Sequence, residues 1–246
     1  LHDLDDGLLK DYDDSLKNFQ KEHNLTIFHL MGQHVNYKQR YRTKQARFWA
    51  SSYEDKRPEL TNAQRKMLSH YDNATLYNDS IVAQIVKRFQ KQDAIVIYVP
   101  DHGEECYEEN RGFICRNHSA EIDWPLAHYE FEIPFWIYCS SKYIRNHRDI
   151  YRQIRKAKDK RFMTDALPHL LLYLAGIETP TYKEEYNILS PKYDEMRPRI
   201  LKNSADYDKL RDAYLEKEAK KKAAEEAKEK KTQKMSKKKG SKKKKQ

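Results

Sequence analysis

The sequence predicts an α/β domain whose sheet is largely parallel and flanked by helices, and three observations carry that prediction. Residues 94–99 form a nearly continuous β-branched run, residues 25–30 and 133–139 form two further apolar runs, and the long stretches between them show helical periodicity. Strands that alternate with helices over long connections favour crossover units and parallel pairing. At 246 residues the chain is also long enough to bury a sizeable core.

Leu8, Leu9, Tyr12, Leu16 and Phe19 recur at helical spacing, which predicts a helix from Leu8 to His23. Asn24 interrupts it, and Leu25, Thr26, Ile27, Phe28, His29 and Leu30 read as a buried strand. Residues 37–60 are polar without a clear period. Thr61, followed three residues later by Gln64, forms a capping box that opens a long helix with Met67, Leu68, Tyr71, Ile81, Ile85 and Phe89 on its apolar face. Residues 94–99, closed by Pro100, have the pattern of a central strand covered on both faces. Pro134 suits the start of the strand at 133–139, where a missing N–H costs least. A Leu-rich helix is expected over 163–174, and an irregular stretch then runs to Ser204. Residues 1–204 are assigned to the folded domain and 205–246 to a charged extension. That extension reads as a helix to about residue 235, followed by a dozen residues too poor in apolar groups to fold.

Charge is unevenly spread. The chain carries +10, yet residues 219–246 hold fourteen Lys and three Glu, which leaves residues 1–218 at −1. A near-neutral body excludes a basic nucleic-acid-binding domain, whose positive footprint would lie on the folded part. No apolar stretch approaches the roughly 20 residues of a bilayer span, and the longest, 167–177, contains Pro168 and His169. The chain reads as soluble, starts at Leu1 without a signal-peptide pattern, and is expected to be a fragment of something longer. Cys106, Cys115 and Cys139 match no zinc-ligand spacing; a Cys106–Cys115 loop and free buried thiols both remain open.

In parallel α/β sheets, sites gather beyond the carboxyl ends of strands. This rule singles out Met31-Gly32-Gln33-His34 and Asp101-His102-Gly103-Glu104. Asp101 and His102 together offer a carboxylate oxygen and an imidazole nitrogen, a pair that suits Zn²⁺ but fills only two positions of a tetrahedral site. An Asp capping its own loop beside a solvated His is the structural alternative.

Four blocks lie in order along the chain: Phe28-His29-Leu30-Met31-Gly32-Gln33-His34, Tyr71-Asp72-Asn73-Ala74-Thr75-Leu76, Ile97-Tyr98-Val99-Pro100-Asp101-His102-Gly103-Glu104, and Glu132-Ile133-Pro134-Phe135. Together they resemble the phosphoethanolamine transferases, sulfatase-like members of the alkaline phosphatase superfamily, over roughly residues 3–176. The resemblance implies an alkaline-phosphatase-like fold of which this chain is the C-terminal part. It implies zinc as the metal, with Asp101 and His102 as ligands, and His34 at the substrate phosphate or leaving group. A second imidazole is implied after the Asp-His-Gly-Glu block, with His118 the nearest match and His128 its competitor. Family members usually have Gly where Val35 follows His34. Asp72 and Asn73 are expected to satisfy a neighbouring loop rather than take part in the chemistry, Glu104 and Glu105 to stand behind the metal ligands or in solvent rather than bridge to a second metal, and His29 to hydrogen-bond in the core rather than bind metal.

The resemblance also implies the chemistry: a zinc-bound Thr or Ser takes phosphoethanolamine from phosphatidylethanolamine, and a lipid A or other glycan hydroxyl then receives it. In the family that nucleophile and a carboxylate ligand lie upstream of the segment matching Leu1, so the chain is expected to hold half a metal site and not to turn over alone. The implied location is the bacterial inner membrane, with the catalytic domain on the periplasmic side. Rival expectations are a sulfatase-like hydrolase of sulfate or phosphate esters, and a non-catalytic domain whose basic tail docks on acidic partners. The tail itself reads as a solvated segment or as one attracted to an anionic membrane surface, and no nucleic-acid partner is expected.

Overall fold

The structure, a computed structural model, describes residues 3–16, 23–117 and 121–243. In chain order its elements are α1 (Asp6–Ser15), α2 (Asn62–Phe89), β1 (Ile95–Tyr98), β2 (Glu105–Cys106), β3 (Ile114–Cys115), α3 (Trp124–Phe131), β4 (Trp136–Cys139), α4 (Ser141–Asn146), α5 (Arg148–Ala157), α6 (Leu167–Leu174), β5 (Ile200–Leu201), β6 (Ala205–Asp206) and α7 (Tyr207–Lys243), joined by short 3₁₀ turns. The chain divides into two compact units, Leu1–Asn117 with Ile133–Asp159, and His118–Glu132 with Lys160–Gln246.

In the first unit the capping box forms as its spacing predicts. The Gln64 N–H donates to Thr61 Oγ1 at 3.3 Å and the Thr61 N–H to Gln64 Oε1 at 2.9 Å, satisfying two donors at the start of α2. Ala74, Tyr77, Ile81 and Ile85 recur along one face of α2 and are buried with Leu9, Tyr37 and Tyr41. Phe28 joins this core through rings: its centroid lies 5.2 Å from Tyr12 and 6.4 Å from Phe89.

The sheet departs from the expected largely parallel arrangement. β1 pairs antiparallel with β4, Ile95 opposite Cys139 and Tyr98 opposite Trp136, and among the described residues β2–β3 and β5–β6 are antiparallel pairs as well. A long connection permits a crossover but does not impose one, and here the chain returns alongside β1 in the opposite sense. All four residues of β1 are half-buried and not covered on both faces. Residues 25–30 make no ladder among the described residues, so they form no strand. Of the expected buried run, Phe28 and Leu30 pack on the core. Leu25 and Ile27, however, are 78% and 80% exposed, and His29 is exposed where a core hydrogen bond was expected. Apolar alternation orients side chains; a strand also needs a hydrogen-bonded neighbour.

In the second unit Asp123 caps α3 by accepting from the Leu126 N–H at 2.9 Å, and Pro125 sits in the first turn, where it is tolerated. Ala127, Leu201 and Tyr207 form the buried cluster between α3 and the root of α7, with Trp124, Phe131 and Leu210 packed against it. α7 continues to Lys243, beyond the expected end near residue 235. Lys, five of the eight residues 236–243, sits near the favourable end of the helix scale, whereas Ser236, Gly240 and Ser241 do not.

Asp208 receives Arg199 at 2.6 Å and Arg211 at 3.3 Å and also pairs with Arg161, while Asp165 receives Arg197 through two bonds of 2.6 and 2.7 Å. Arg199 holds the Asp208 carboxyl below the ordinary value of 3.8 against the opposing effect of burial, and Arg197 does the same for Asp165. A carboxylate with a depressed folded-state pKa stabilises the fold above 3.8 and loses that contribution as pH falls through the folded value. Denaturant unfolding across this range is expected to show stability falling below 3.8, with a shallower slope in Asp208→Asn. An unchanged slope would contradict it.

Candidate functional site

Two turns of the first unit carry the residues singled out by the sequence. The first, residues 31–35, is held from both sides. The Asp5 carboxylate accepts from the Met31 N–H at 3.0 Å and the Gly32 N–H at 2.9 Å, and the Arg40 guanidinium donates to the carbonyls of His34 at 2.9 Å and Val35 at 3.2 Å. Gly32 has φ +51°, a left-handed conformation that glycine adopts without the cost a side chain adds. His34 Nδ1 lies against the Val35 carbonyl. With Nδ1–H donating there, Nε2 is the nitrogen left for an outside group.

The second turn follows β1. Asp101 Oδ1 accepts from the His102 N–H at 3.1 Å, and His102 Nδ1 lies 2.8 Å from the Gly103 carbonyl. That contact assigns the proton to Nδ1 and turns Nε2 toward Asp101, whose Oδ2 is 3.7 Å away. Two ligands of a tetrahedral ion, each about 2 Å from it, stand about 3.3 Å apart. The pair therefore fits two ligand positions of a zinc site after a shift of a few tenths of an ångström. The Asp101 side chain is 88% exposed, so it serves no packing purpose. Among the described residues no group of three or more His, Cys, Asp or Glu is placed to hold a metal ion.

Glu104, in the second turn, is tied to Tyr37, which follows the first. Its Oε2 accepts from the hydroxyl of Tyr37, a side chain only 2% exposed, at 2.6 Å. Burial raises the Glu104 carboxyl above the ordinary value, the Tyr37 hydrogen bond and the imidazoles of His102 and His34 pull it down, and the Asp101 carboxylate pushes it up. The structure thus brings His34, Asp101 and His102 into the electrostatic neighbourhood of one carboxylate. Tyr37 in turn packs edge-on to Tyr71, with centroids 5.3 Å apart. Tyr37→Phe removes the hydroxyl alone and is expected to cost about 2 kcal/mol of stability, read from the denaturant midpoint, because a half-buried carboxylate loses its donor. A change within about 0.5 kcal/mol would contradict the latch.

Glu105 is buried and paired with Arg111 at 2.7 Å, which turns it away from any metal-ligand role. Asn73 satisfies a neighbouring loop, as expected: Oδ1 accepts from the N–H groups of Arg47 and Phe48, and Nδ2 donates to the carbonyls of Phe48 and Ser69. Asp72 accepts from the Tyr53 hydroxyl. His128 belongs to the second unit, 3.0 Å from Glu132 and stacked on Trp124. His118 lies outside the described residues. Cys106 and Cys115 are unbridged, and burial pushes the Cys106 thiol above its ordinary value. Asp5, Arg40 and Tyr37 were not singled out by the sequence; one tyrosine among eighteen carries no signal of its own.

Residues 2–177 match the sulfatase family. The chain is 31% identical over 216 residues to the phosphoethanolamine transferase EptC of Escherichia coli O18:K1:H7, covering 85% of this chain and 36% of that protein. It is 32% identical over 160 residues to the Kdo(2)-lipid A phosphoethanolamine 7''-transferase of Escherichia coli K12, covering 63% of this chain and 27% of that protein. Among solved structures, the C-terminal periplasmic domain of Escherichia coli EptC in complex with Zn superposes with a TM-score of 0.68 at 28% identity, covering 83% of this chain and 57% of that domain. The chain thus spans about a third of the length of these relatives. The matched fold, the match over residues 2–177 and the identity to named transferases agree with one another: the chain belongs to the sulfatase family.

Proposed function

We propose that this chain supplies the Asp101–His102 side of a zinc-dependent site that transfers phosphoethanolamine from phosphatidylethanolamine to lipid A or another glycan acceptor, on the periplasmic face of a bacterial inner membrane. The observation that carries the reading is the Asp101–His102 pair at the end of β1, with His34 within electrostatic reach of the neighbouring Glu104 carboxylate. The identity to named phosphoethanolamine transferases and the superposition on a periplasmic domain complexed with Zn support it.

Asp101 Oδ2 and His102 Nε2 would hold the zinc, which would supply Lewis-acid stabilisation of negative charge on oxygen. The Gly103 carbonyl fixes the His102 ring by accepting from Nδ1–H, so Nε2 presents its lone pair to the metal. The His34 ring, with Nδ1 directed at the Val35 carbonyl, donates from Nε2 only as imidazolium. In that form it hydrogen-bonds a phosphoryl oxygen or delivers the proton that the departing diacylglycerol oxygen needs. His118 provides the second imidazole. Tyr37 orients Glu104 by donating its hydroxyl to the carboxylate.

Kinetic assay of the whole gene product against phosphatidylethanolamine and simple sulfate esters tests the reading. Zinc-dependent release of diacylglycerol, with no sulfate release, is the expected outcome. Sulfate release without diacylglycerol would replace it with an ester hydrolase, and inactivity toward both with a binding domain.

A further inference from the structure

The largest charged feature that the catalytic reading leaves unused is the Lys-rich end of α7. Residues 207–229 carry seven basic and seven acidic side chains, whereas residues 230–246 carry ten Lys and no acid. The helix is therefore an electrically balanced stem with a polycationic end. Its root is fixed in the second unit: Tyr207 is buried with Ala127 and Leu201, and Asp208 is gripped by three arginines. Farther along, Leu215 is 54% exposed, and Glu216 and Lys220 pair across one turn at 2.5 Å. From Glu216 to Lys243 the helix runs about 40 Å.

Composition narrows what this end can bind. From residue 216 onward the apolar residues are Ala and Met235 alone, which removes the apolar face that bilayer insertion or a coiled-coil seam would need. Residues 215–246 also contain neither Arg nor an aromatic side chain. That removes the bidentate fork and the stacking platform with which proteins grip nucleic acids most tightly. What remains is a dense set of ammonium point charges, suited to a surface whose phosphates can move laterally to meet them. Residues 1–218 carry only −1, so attraction to such a surface falls to the tail.

We propose that residues 230–246 dock this protein onto the surface of a bilayer containing anionic phospholipid, by charge alone and without insertion. Each Lys close to the surface adds about fivefold to the affinity, within a Debye length of roughly 10 Å at 0.1 M salt.

Sedimentation of the chain with vesicles of phosphatidylcholine, and of phosphatidylcholine mixed with phosphatidylglycerol, reads the proposal directly. Binding is expected only to the mixed vesicles, and it should vanish at about 1 M salt, where the Debye length falls to about 3 Å. A chain ending at Glu229 is expected to bind at least about 100-fold more weakly, and so is one with the ten Lys replaced by Gln, which keeps the chain length and removes the charge. Equal binding to both vesicles, or retention by either variant, would overturn the proposal. A duplex DNA competitor forms the last arm: if DNA strips the protein from mixed vesicles at a lower phosphate concentration than the vesicles present, the partner is nucleic acid and the proposal fails. Sedimentation involves no turnover, so its outcome is independent of the transferase reading.

Discussion

Asp101→Ala in the whole gene product is expected to lower transferase activity by more than about 100-fold, beyond the 10- to 100-fold that residues outside the ligand shell of a metal site cost. Stability should move by less than about 0.5 kcal/mol, because the side chain is 88% exposed and its one backbone bond spans adjacent residues. That split separates a metal ligand from a loop cap. His102→Ala is expected to behave alike, and the double variant to be no worse than either single one, since losing one ligand already disables the site. Metal content measured alongside activity should fall in all three variants. Activity within tenfold of the parent, or full metal retention, would remove Asp101 from the site.

Asn73→Ala is expected to cost about 3 kcal/mol, with a fall in Tm on the order of 10 °C. The side chain is 3% exposed and makes four hydrogen bonds from the middle of α2. Its removal leaves the N–H groups of Arg47 and Phe48 and the Phe48 carbonyl without their partner, while the Ser69 carbonyl keeps its place in the helix ladder. Asn73→Asp keeps the acceptor for both N–H groups but sets a buried carboxylate oxygen against the carbonyls of Phe48 and Ser69. It should also destabilise the fold, and more at neutral pH than at acid pH, where the carboxyl can be protonated. A loss below about 0.5 kcal/mol in Asn73→Ala would mean that water replaces these bonds and that the loop is not pinned to α2.

Local signals were legible wherever one short stretch determines the outcome. Thr61 and Gln64 mark the start of α2 because both capping bonds are made within four residues. The β-branched run at 94–99 marks β1, and the Asp101-His102 turn at its end marks the candidate site. Pairing direction was not legible, because β1 and β4 are separated by more than thirty residues and an apolar run has no sense of direction along its neighbour. Residues 25–30 show the same limit: their apolar content reads as a buried strand, yet only Phe28 and Leu30 pack on the core while Leu25 and Ile27 are exposed, and the ladder that defines a strand depends on another segment. Tyr37, Asp5 and Arg40 shape the site through contacts with residues that nothing local links to them. The tail's helical length was underestimated because poverty in apolar residues argues against packing, not against helical propensity.

The most direct test of the account follows the headgroup itself, using phosphatidylethanolamine labelled in its ethanolamine and the whole gene product with lipid A or glycan acceptors. The account predicts that the label passes into the acceptor fraction with the parent protein and stays in phosphatidylethanolamine with Asp101→Ala. Label released as free phosphoethanolamine, or transfer that survives Asp101→Ala, would contradict it.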